Sequence, residues 1–210
     1  MTAIAGQSWR DSVMTYIREE ARPIDKFGHQ PRLYALARRI AEEQSREGAS
    51  CDDDVLFAAA WMHDLGVFVG HRPSDPAELA AWDHVPYTIA KSTEMLRRWG
   101  FPEEKLAAVA EAIRTHQPKD EALSPEAIVL RDADILEQLG AVGALRALVK
   151  VGRDGRYSTY SDVVPVLERA VQILPGKLRL KPARDLAQDR IRVLADLLTA
   201  IREEAGDWLC

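Results

Sequence analysis

The sequence predicts an all-α fold, a single helical bundle of about seven or eight helices. Apolar residues recur with helical spacing through most of the chain, and strict alternation of apolar and polar residues over six positions is hard to find. Glycines, prolines and capping residues divide the periodic stretches into segments of helical length. The run Val67-Phe68-Val69 has strand-like composition, but it is too short to change this prediction.

The first half of the chain contains three apolar stripes. They are Trp9, Val13 and Ile17, then Leu33, Leu36, Ala37 and Ile40, and then Leu106, Val109, Ala110 and Ile113. Pro31 suits the first turn of a helix that begins just after His29, and Gly48 suits its end. Asp52 to Asp54 favour the start of the next helix, because carboxylates are stabilised at a helix N-terminus. Gly66 is expected to end that helix.

The second half of the chain continues the helical pattern. Ser124 is a cap followed by proline at the first helical position, Pro125. Leu174-Pro175-Gly176 begins a short connection to a final helix, whose stripe is Ile191, Leu194, Leu198 and Ile201. Two stretches, Gly70 to Pro76 and Gly152 to Tyr160, are predicted loops, and neither is long enough to be a linker between domains.

Composition narrows the class of protein. The 210 residues are 47% hydrophobic, and the net charge is -5 with basic and acidic side chains intermixed, so neither a nucleic-acid polymer nor a membrane surface is an expected partner. No apolar stretch approaches the roughly 20 residues that span a bilayer, and the N-terminus lacks the features of a signal peptide. Cys51 and Cys210, the latter expected to be frayed, cannot form a disulfide framework, which favours a cytoplasmic location.

The pair His63-Asp64 follows an apolar stretch. Residues Leu56 to Met62 are all apolar or small, which predicts a buried helix. A carboxylate at the end of such a helix needs a cation or several hydrogen-bond donors, because burying an unpaired charge is costly. The two side chains can converge on one metal ion where the helix ends, although the dipeptide alone is weak evidence.

Two aspartates lie in a second apolar segment. Asp132 and Asp134 stand between Ile128-Val129-Leu130 and Ile135-Leu136, with Arg131 directly before them. One interpretation pairs Arg131 with an aspartate on an exposed stripe. The other makes Asp134 a buried ligand, and it is favoured because the apolar positions leave little room for a solvated face.

These residues resemble a known signature. The ordered set His29, His63-Asp64 and Asp134 is similar to the H…HD…D pattern of the HD-domain superfamily of metal-dependent phosphohydrolases, and above all to its small stand-alone bacterial members. Those members typically carry Asp-Ala-Asp-x-Leu and then Leu-Gly-Ala-x-Gly, and residues 132–143 of this chain read DADILEQLGAVG. The segment GFPEEK at residues 100–105 is also similar to them. The resemblance is strong over residues 25–145 and weak in the C-terminal helix.

The resemblance implies one HD domain over residues 1–210, with a core at about 25–145 and C-terminal helices that complete the bundle. It implies one or two divalent metal ions, with His29, His63, Asp64 and Asp134 as the ligands. Two imidazoles and two carboxylates form a mixed site that suits Mn, Fe, Co, Ni, Zn or Mg, with Mg²⁺ somewhat disfavoured by imidazole. The expected partner is a small phosphorylated substrate, and a homodimer is possible.

Two further histidines lie beside predicted helix ends. His84 stands just before a helix, and His116 stands at a helix end before a proline. The resemblance implies substrate contact or proton transfer for both, with ligation of a second metal ion as the alternative; each could also simply cap its helix. Lys91, Arg114 and Lys119 lie nearby in the sequence, where one of them could hold a phosphate. His71 has no counterpart in the signature and is interpreted as a loop residue, at most at the mouth of the site.

The implied reaction is hydrolysis of a phosphate ester or anhydride, of a nucleotide or a small phosphorylated metabolite. In it Asp64 is expected to bind the metal and orient water, and His84 or His116 to donate a proton to the leaving group. Some nucleotidase members carry a glutamate shortly after the His-Asp pair. This chain has Leu65-Gly66-Val67-Phe68 there, so it lacks the residue that would serve as a nucleotidase-type general acid.

Two other functions fit the same residues. A di-iron oxygenase or a lyase of the same fold would use the six potential ligands, His84 and His116 included, for two metal ions. A non-catalytic metal-binding sensor would keep the fold without turnover. The intact set of ligands favours an enzyme over the sensor.

Overall fold

The computed structural model describes residues 8–153 and 157–209, and the regular secondary structure in these ranges is helical, with no β-strand. The ten α-helices there are α1 (Trp9–Glu20), α2 (His29–Arg46), α3 (Asp53–Met62), α4 (Pro76–Ala80), α5 (His84–Arg98), α6 (Leu106–Arg114), α7 (Pro125–Glu137), α8 (Gly140–Leu148), α9 (Tyr160–Ile173) and α10 (Lys181–Ala205). Short 3-10 turns lie at Ile24–Lys26, Leu65–Val67, Glu103–Lys105 and Leu174–Lys177. The all-α class is confirmed.

The number of helices exceeds seven or eight because short helices leave little periodic signal. α4 has five residues and lies directly after the predicted loop that begins at Gly70. Neighbouring residues determine where α4 begins, since the Asp75 side chain accepts hydrogen bonds from the backbone N–H groups of Ala77 and Glu78. Two parts of the predictions fall outside the described residues. They are Cys210, and residues 154–156 of the second predicted loop.

The chain forms two compact units, one ending at Arg131 and one beginning at Asp132, with the division inside α7. In the first unit α3 packs against α1, α2 and α6, and α5 packs against α6 and the turn Leu65–Val67. All residues of α3 from Val55 to Met62 are buried, which confirms the prediction from their composition. The single domain proposed for residues 1–210 stays a prediction.

Predicted helix boundaries in the first unit follow local capping chemistry. The Asp52 carboxylate caps α3 by accepting hydrogen bonds from the N–H groups of Asp54 at 2.9 Å and Val55 at 3.3 Å. α2 begins at His29 itself and ends shortly before Gly48, whose φ of 91° suits a residue without a Cβ atom. The sequence therefore placed both His29 and His63 at helix ends.

In the second unit α10 packs against α8 and α9. Gly140 begins α8 with a φ of 76°, and a Cβ atom at that position would lie 3.3 Å from the side chain of Arg190. A Cβ atom at Gly143 would overlap the carbonyl group of Gln138. Steric limits thus explain both glycines of the segment that follows Asp134. In the part of the chain that the structure describes, no helix has the length and apolar character needed to cross a membrane.

Candidate metal centre

His63 and Asp64 lie where α3 ends inside the first unit. The backbone N–H of His63 still donates to the carbonyl of Ala59 at 2.9 Å, and the chain leaves the helix at Asp64. The imidazole of His63 is 1% exposed, and its Nδ1–H donates to the Ala60 carbonyl 3.0 Å away. This hydrogen bond fixes the tautomer, so that Nε2 presents a lone pair, as metal-binding histidines require.

His29, the first residue of α2, meets these side chains. Its Nε2 lies 3.3 Å from Nε2 of His63 and 3.8 Å from Oδ2 of Asp64. Nε2 of His63 lies 3.5 Å from the same carboxylate oxygen. His29, His63 and Asp64 thus form a compact group of three potential metal ligands.

The spacing within this group fits a metal ion. With metal–ligand bonds of about 2.1 Å, adjacent ligand atoms lie about 3.0 Å apart at a right angle and about 3.4 Å apart at a tetrahedral angle. The three observed distances of 3.3, 3.5 and 3.8 Å approach these values. The donor set of two nitrogens and one oxygen suits a divalent transition metal.

A second group of potential ligands shares the same carboxylate. Asp64, His84 and His116 bring one ligand atom each into mutual proximity, and Oδ1 of Asp64 lies 3.9 Å from Nε2 of His84. His116 is 3% exposed, and its Nδ1–H donates to the Ile113 carbonyl at 2.6 Å, which leaves its Nε2 as the lone-pair nitrogen. The carboxylate of Asp64 therefore lies between two pairs of histidines.

Two opposed effects act on the carboxyl group of Asp64. Burial raises its pKa, whereas the positive charges that His63, His29, Lys26 and His116 carry when protonated lower it. The net result is a pKa well below the ordinary value of 3.8. Asp64 is therefore ionised at neutral pH, as a metal ligand must be.

Asp134 belongs to the second unit, on α7. It is 9% exposed, and its Oδ2 accepts a hydrogen bond from Nε2 of Gln138 at 3.2 Å. Arg131, Asp132 and Asp134 are all buried, which excludes the alternative interpretation of an exposed stripe at these positions. Asp134 as a metal ligand stays a prediction.

Asp132 has a structural role that the sequence did not reveal. Its carboxylate is fully buried and accepts hydrogen bonds from the backbone N–H groups of Arg179 at 2.9 Å and Leu180 at 2.8 Å. These two residues lead directly into α10, so Asp132 satisfies donors at the N-terminus of that helix. The two neighbouring aspartates thus occupy different environments.

Gly66 follows Asp64 closely in the chain and forms hydrogen bonds to residues on either side of His84 in the sequence. Its N–H donates to Oγ1 of Thr88 at 3.0 Å, and its carbonyl accepts a hydrogen bond from the indole Nε1 of Trp82 at 2.9 Å. A Cβ atom at Gly66 would lie 2.9 Å from the carbonyl oxygen of His84. Gly66 therefore allows α5 to approach Asp64 closely; it lies in the turn Leu65–Val67 just past the end of α3, and its φ is not positive.

We expect Gly66→Ala to displace the start of α5 and with it His84. An added Cβ atom would lie 2.8 Å from Oγ1 of Thr88, closer than ordinary contacts, so the backbone must shift. A displacement approaching 1 Å can cost about 100-fold in rate, and overpacking costs about 1–3 kcal/mol of stability. Metal content, turnover and thermal unfolding measure these effects.

Gly176→Ala is the matched control for this substitution. No atom of residues 8–153 and 157–209 lies within 4 Å of a Cβ built on Gly176, and its φ is not positive, so the added methyl group is tolerated. Equal metal content and equal turnover in the two alanine variants would contradict a positioning role for Gly66.

His71 belongs to neither group of ligands. Its Nε2–H donates to the Glu20 carboxylate at 3.0 Å, and its Nδ1 accepts a hydrogen bond from the Tyr87 hydroxyl at 2.8 Å. The side chain is 7% exposed. His71 is a loop residue as expected, and its two hydrogen bonds tie that loop to α1 and α5.

Comparison with solved structures shows a shared fold. Bacillus subtilis YpgQ is 22% identical with a TM-score of 0.72, and the match covers 94% of this chain and 96% of that chain. The structure of YpgQ in complex with ADP is 21% identical with a TM-score of 0.70, over 94% and 95% of the two chains. A predicted HD superfamily hydrolase from an uncultured Thermotogales bacterium is 24% identical with a TM-score of 0.59, over 93% and 92%.

A comparison with curated proteins gave no match. The sequence pattern of the HD domain family, however, matches residues 27–139, which is more than half of the chain. That range contains both groups of potential ligands as well as Asp134. The chain therefore belongs to the HD domain family.

Proposed function

We propose that this protein is a metal-dependent phosphohydrolase that acts on a phosphate ester or anhydride of a small molecule. The observation that carries the proposal is the carboxylate of Asp64, shared by two groups of histidines, of which His29, His63 and His116 are buried and His84 is partly exposed, in a chain of the HD domain family. The bound ADP in the structurally similar YpgQ supports a small phosphorylated ligand. A nucleotide or another phosphorylated metabolite would satisfy this chemistry.

His29, His63 and Asp64 would hold the first divalent ion, with Asp134 as the fourth predicted ligand. His84 and His116 would join Asp64 at a second ion, and the fixed tautomer of His116 supports this role more than proton donation, because its Nε2 carries the lone pair. A divalent ion bound there lowers the pKa of coordinated water and withdraws electron density from a phosphoryl oxygen.

The side chains of the site have defined tasks in the proposed reaction. The Asp64 carboxylate is ionised, so it can accept a hydrogen bond from the attacking water and orient it towards phosphorus. The Nδ1–H groups of His63 and His116 donate to backbone carbonyls, so each neutral ring presents its Nε2 to the site. With His84 and His116 held on the second ion, the leaving oxygen would receive its proton from water; without that ion, either histidine could donate it.

The proposal is tested with the purified protein loaded separately with Mn²⁺, Co²⁺ and Mg²⁺. Metal content is measured, and release of phosphate or pyrophosphate is followed with p-nitrophenyl phosphate, AMP, ADP, ATP and a cyclic nucleotide. We expect hydrolysis of at least one compound, loss of activity with a chelator, and recovery when metal is returned.

Other results would favour the competing functions. Two iron ions per chain together with oxygen-dependent oxidation of a substrate would indicate an oxygenase, since two adjoining ligand groups also suit two irons. Metal-loaded protein that hydrolyses none of the phosphorylated compounds would contradict the proposal and favour a sensor.

A further inference from the structure

A groove of about 340 Å³ lies beside the segments that carry His84 and His116. Asp83 and Val85, the chain neighbours of His84, line it, as do Arg114 and Gln117, which stand on either side of His116 in the sequence. Its volume lies within the range of about 300–1,000 Å³ that is usual for small-molecule sites. A substrate whose reacting phosphoryl group reaches the shared carboxylate would have room for its remaining atoms here.

One wall of the groove is apolar and comes from the first turns of α5. Val85, Pro86 and Ile89 line it. Proline and two β-branched residues give this wall little conformational freedom, so binding against it costs little side-chain entropy. Such a surface suits the uncharged part of a ligand.

Two cations, Arg114 and Lys119, line the same groove. Within residues 8–153 and 157–209 neither of them takes part in an ion pair. Lys91, the third basic residue that the sequence suggested, is already paired with Glu94 at 3.0 Å. Arg114 and Lys119 are therefore available for an anionic ligand, and a guanidinium group suits phosphate oxygens in particular.

Two carboxylates also line the groove, and local bonds hold them. Asp83 caps α5 by accepting a hydrogen bond from the N–H of Val85 at 3.1 Å. Asp120 accepts a hydrogen bond from the N–H of Gln117 at 3.0 Å. Both still repel an anion, so the attraction of Arg114 and Lys119 for a bound phosphate must exceed this repulsion.

We propose that Arg114 and Lys119 bind a second, non-reacting phosphate group of the substrate, so that this protein prefers compounds with two or more phosphates to monoesters. This inference rests on the proposed function, because a second phosphate is defined only relative to a phosphoryl group held at the shared carboxylate. The apolar wall then receives the organic part of the same molecule.

The test is a binding measurement that does not require turnover. The Mn²⁺-loaded full chain is titrated with α,β-methylene-ADP, a diphosphate that resists hydrolysis at its bridging carbon, and with AMP as the monophosphate. We expect the diphosphate to bind at least about 10-fold more tightly, and the variant with Arg114→Ala and Lys119→Ala to lose most of that advantage, because hydrogen bonds to charged groups contribute roughly 10- to 100-fold each.

Two further variants sharpen the measurement. Arg39→Ala removes an exposed arginine of α2 that lies outside the groove, and it is expected to keep the preference for the diphosphate. Asp120→Asn removes a repulsive charge but keeps an acceptor oxygen, and it is expected to tighten diphosphate binding by about 2- to 5-fold, the range of one exposed charge pair.

The preference for the diphosphate decides the outcome. Equal affinity for the two compounds in the natural protein, or an unchanged preference in the doubly substituted variant, would overturn the proposal. A protein that hydrolyses no phosphorylated compound but still shows the difference in affinity would refute the phosphohydrolase and retain the anion site.

Discussion

Replacing Asp64 with asparagine is expected to lower both metal affinity and turnover by more than about 100-fold. Substitutions of residues that only support metal ligands already cost about 10- to 100-fold, and Asp64 lies inside both groups of potential ligands. Its Oδ2 faces His29 and His63, and its Oδ1 faces His84. Asparagine keeps the volume but loses the charge and replaces one acceptor oxygen with an N–H donor.

The substitution is measured as metal per chain after dialysis and as the rate of hydrolysis of the best substrate. Asp196→Asn is the matched control, because Asp196 is an exposed residue of α10 and the same chemical change there is expected to alter neither quantity. Circular dichroism checks that both variants remain helical. An Asp64→Asn variant with normal metal content and normal turnover would exclude the proposed centre.

His116→Ala is expected to remove one metal ion per chain and to reduce turnover by about 100- to 10,000-fold, the range over which a single acid, base or ligand at a reacting centre contributes. Only one of the two metal ions should be lost, because His29 and His63 belong to the other group and are unchanged. His84→Ala is expected to behave in the same way. Metal analysis at saturating Mn²⁺, together with turnover as a function of pH, measures both effects.

The metal count separates the two roles considered for His116. Unchanged metal content with lost turnover and an altered pH profile would assign proton transfer instead of ligation. His71→Ala serves as the control, since the His71 side chain is only 7% exposed but belongs to neither group, and its variant should keep the full metal content. A His116→Ala variant with normal metal content and normal turnover would rule out both roles.

Local sequence patterns were sufficient for most of the fold and for the position of His63-Asp64. The Asp52 cap and the apolar run up to Met62 involve residues that are close together in one helix. Both features can therefore be recognised from consecutive residues of the sequence. The same holds for Ser124, whose Oγ accepts a hydrogen bond from the N–H of Ala127 at 3.3 Å. Helix class and helix boundaries could therefore be predicted without any long-range contact.

The features that depended on the folded chain involve residues far apart in sequence. The sequence placed Asp64, His84 and His116 at helix ends, but the packing of α5 and α6 in the first unit made them one group around a shared carboxylate. Gly66 shows the same limit of local sequence patterns. Its position after His63-Asp64 suggested the end of a helix, whereas the folded chain shows that the close approach of His84 leaves no room for a side chain there.

Asp132 and Asp134 illustrate this difference on a single helix. Both are acidic, both are buried, and they stand two residues apart, so no local pattern tells them apart. Asp132 accepts hydrogen bonds from backbone groups 47 and 48 residues later in the chain. Capping and periodicity act over one or two turns and can be read directly from the sequence, whereas the partner of a buried charge is fixed by packing between distant segments, which the tertiary structure alone provides.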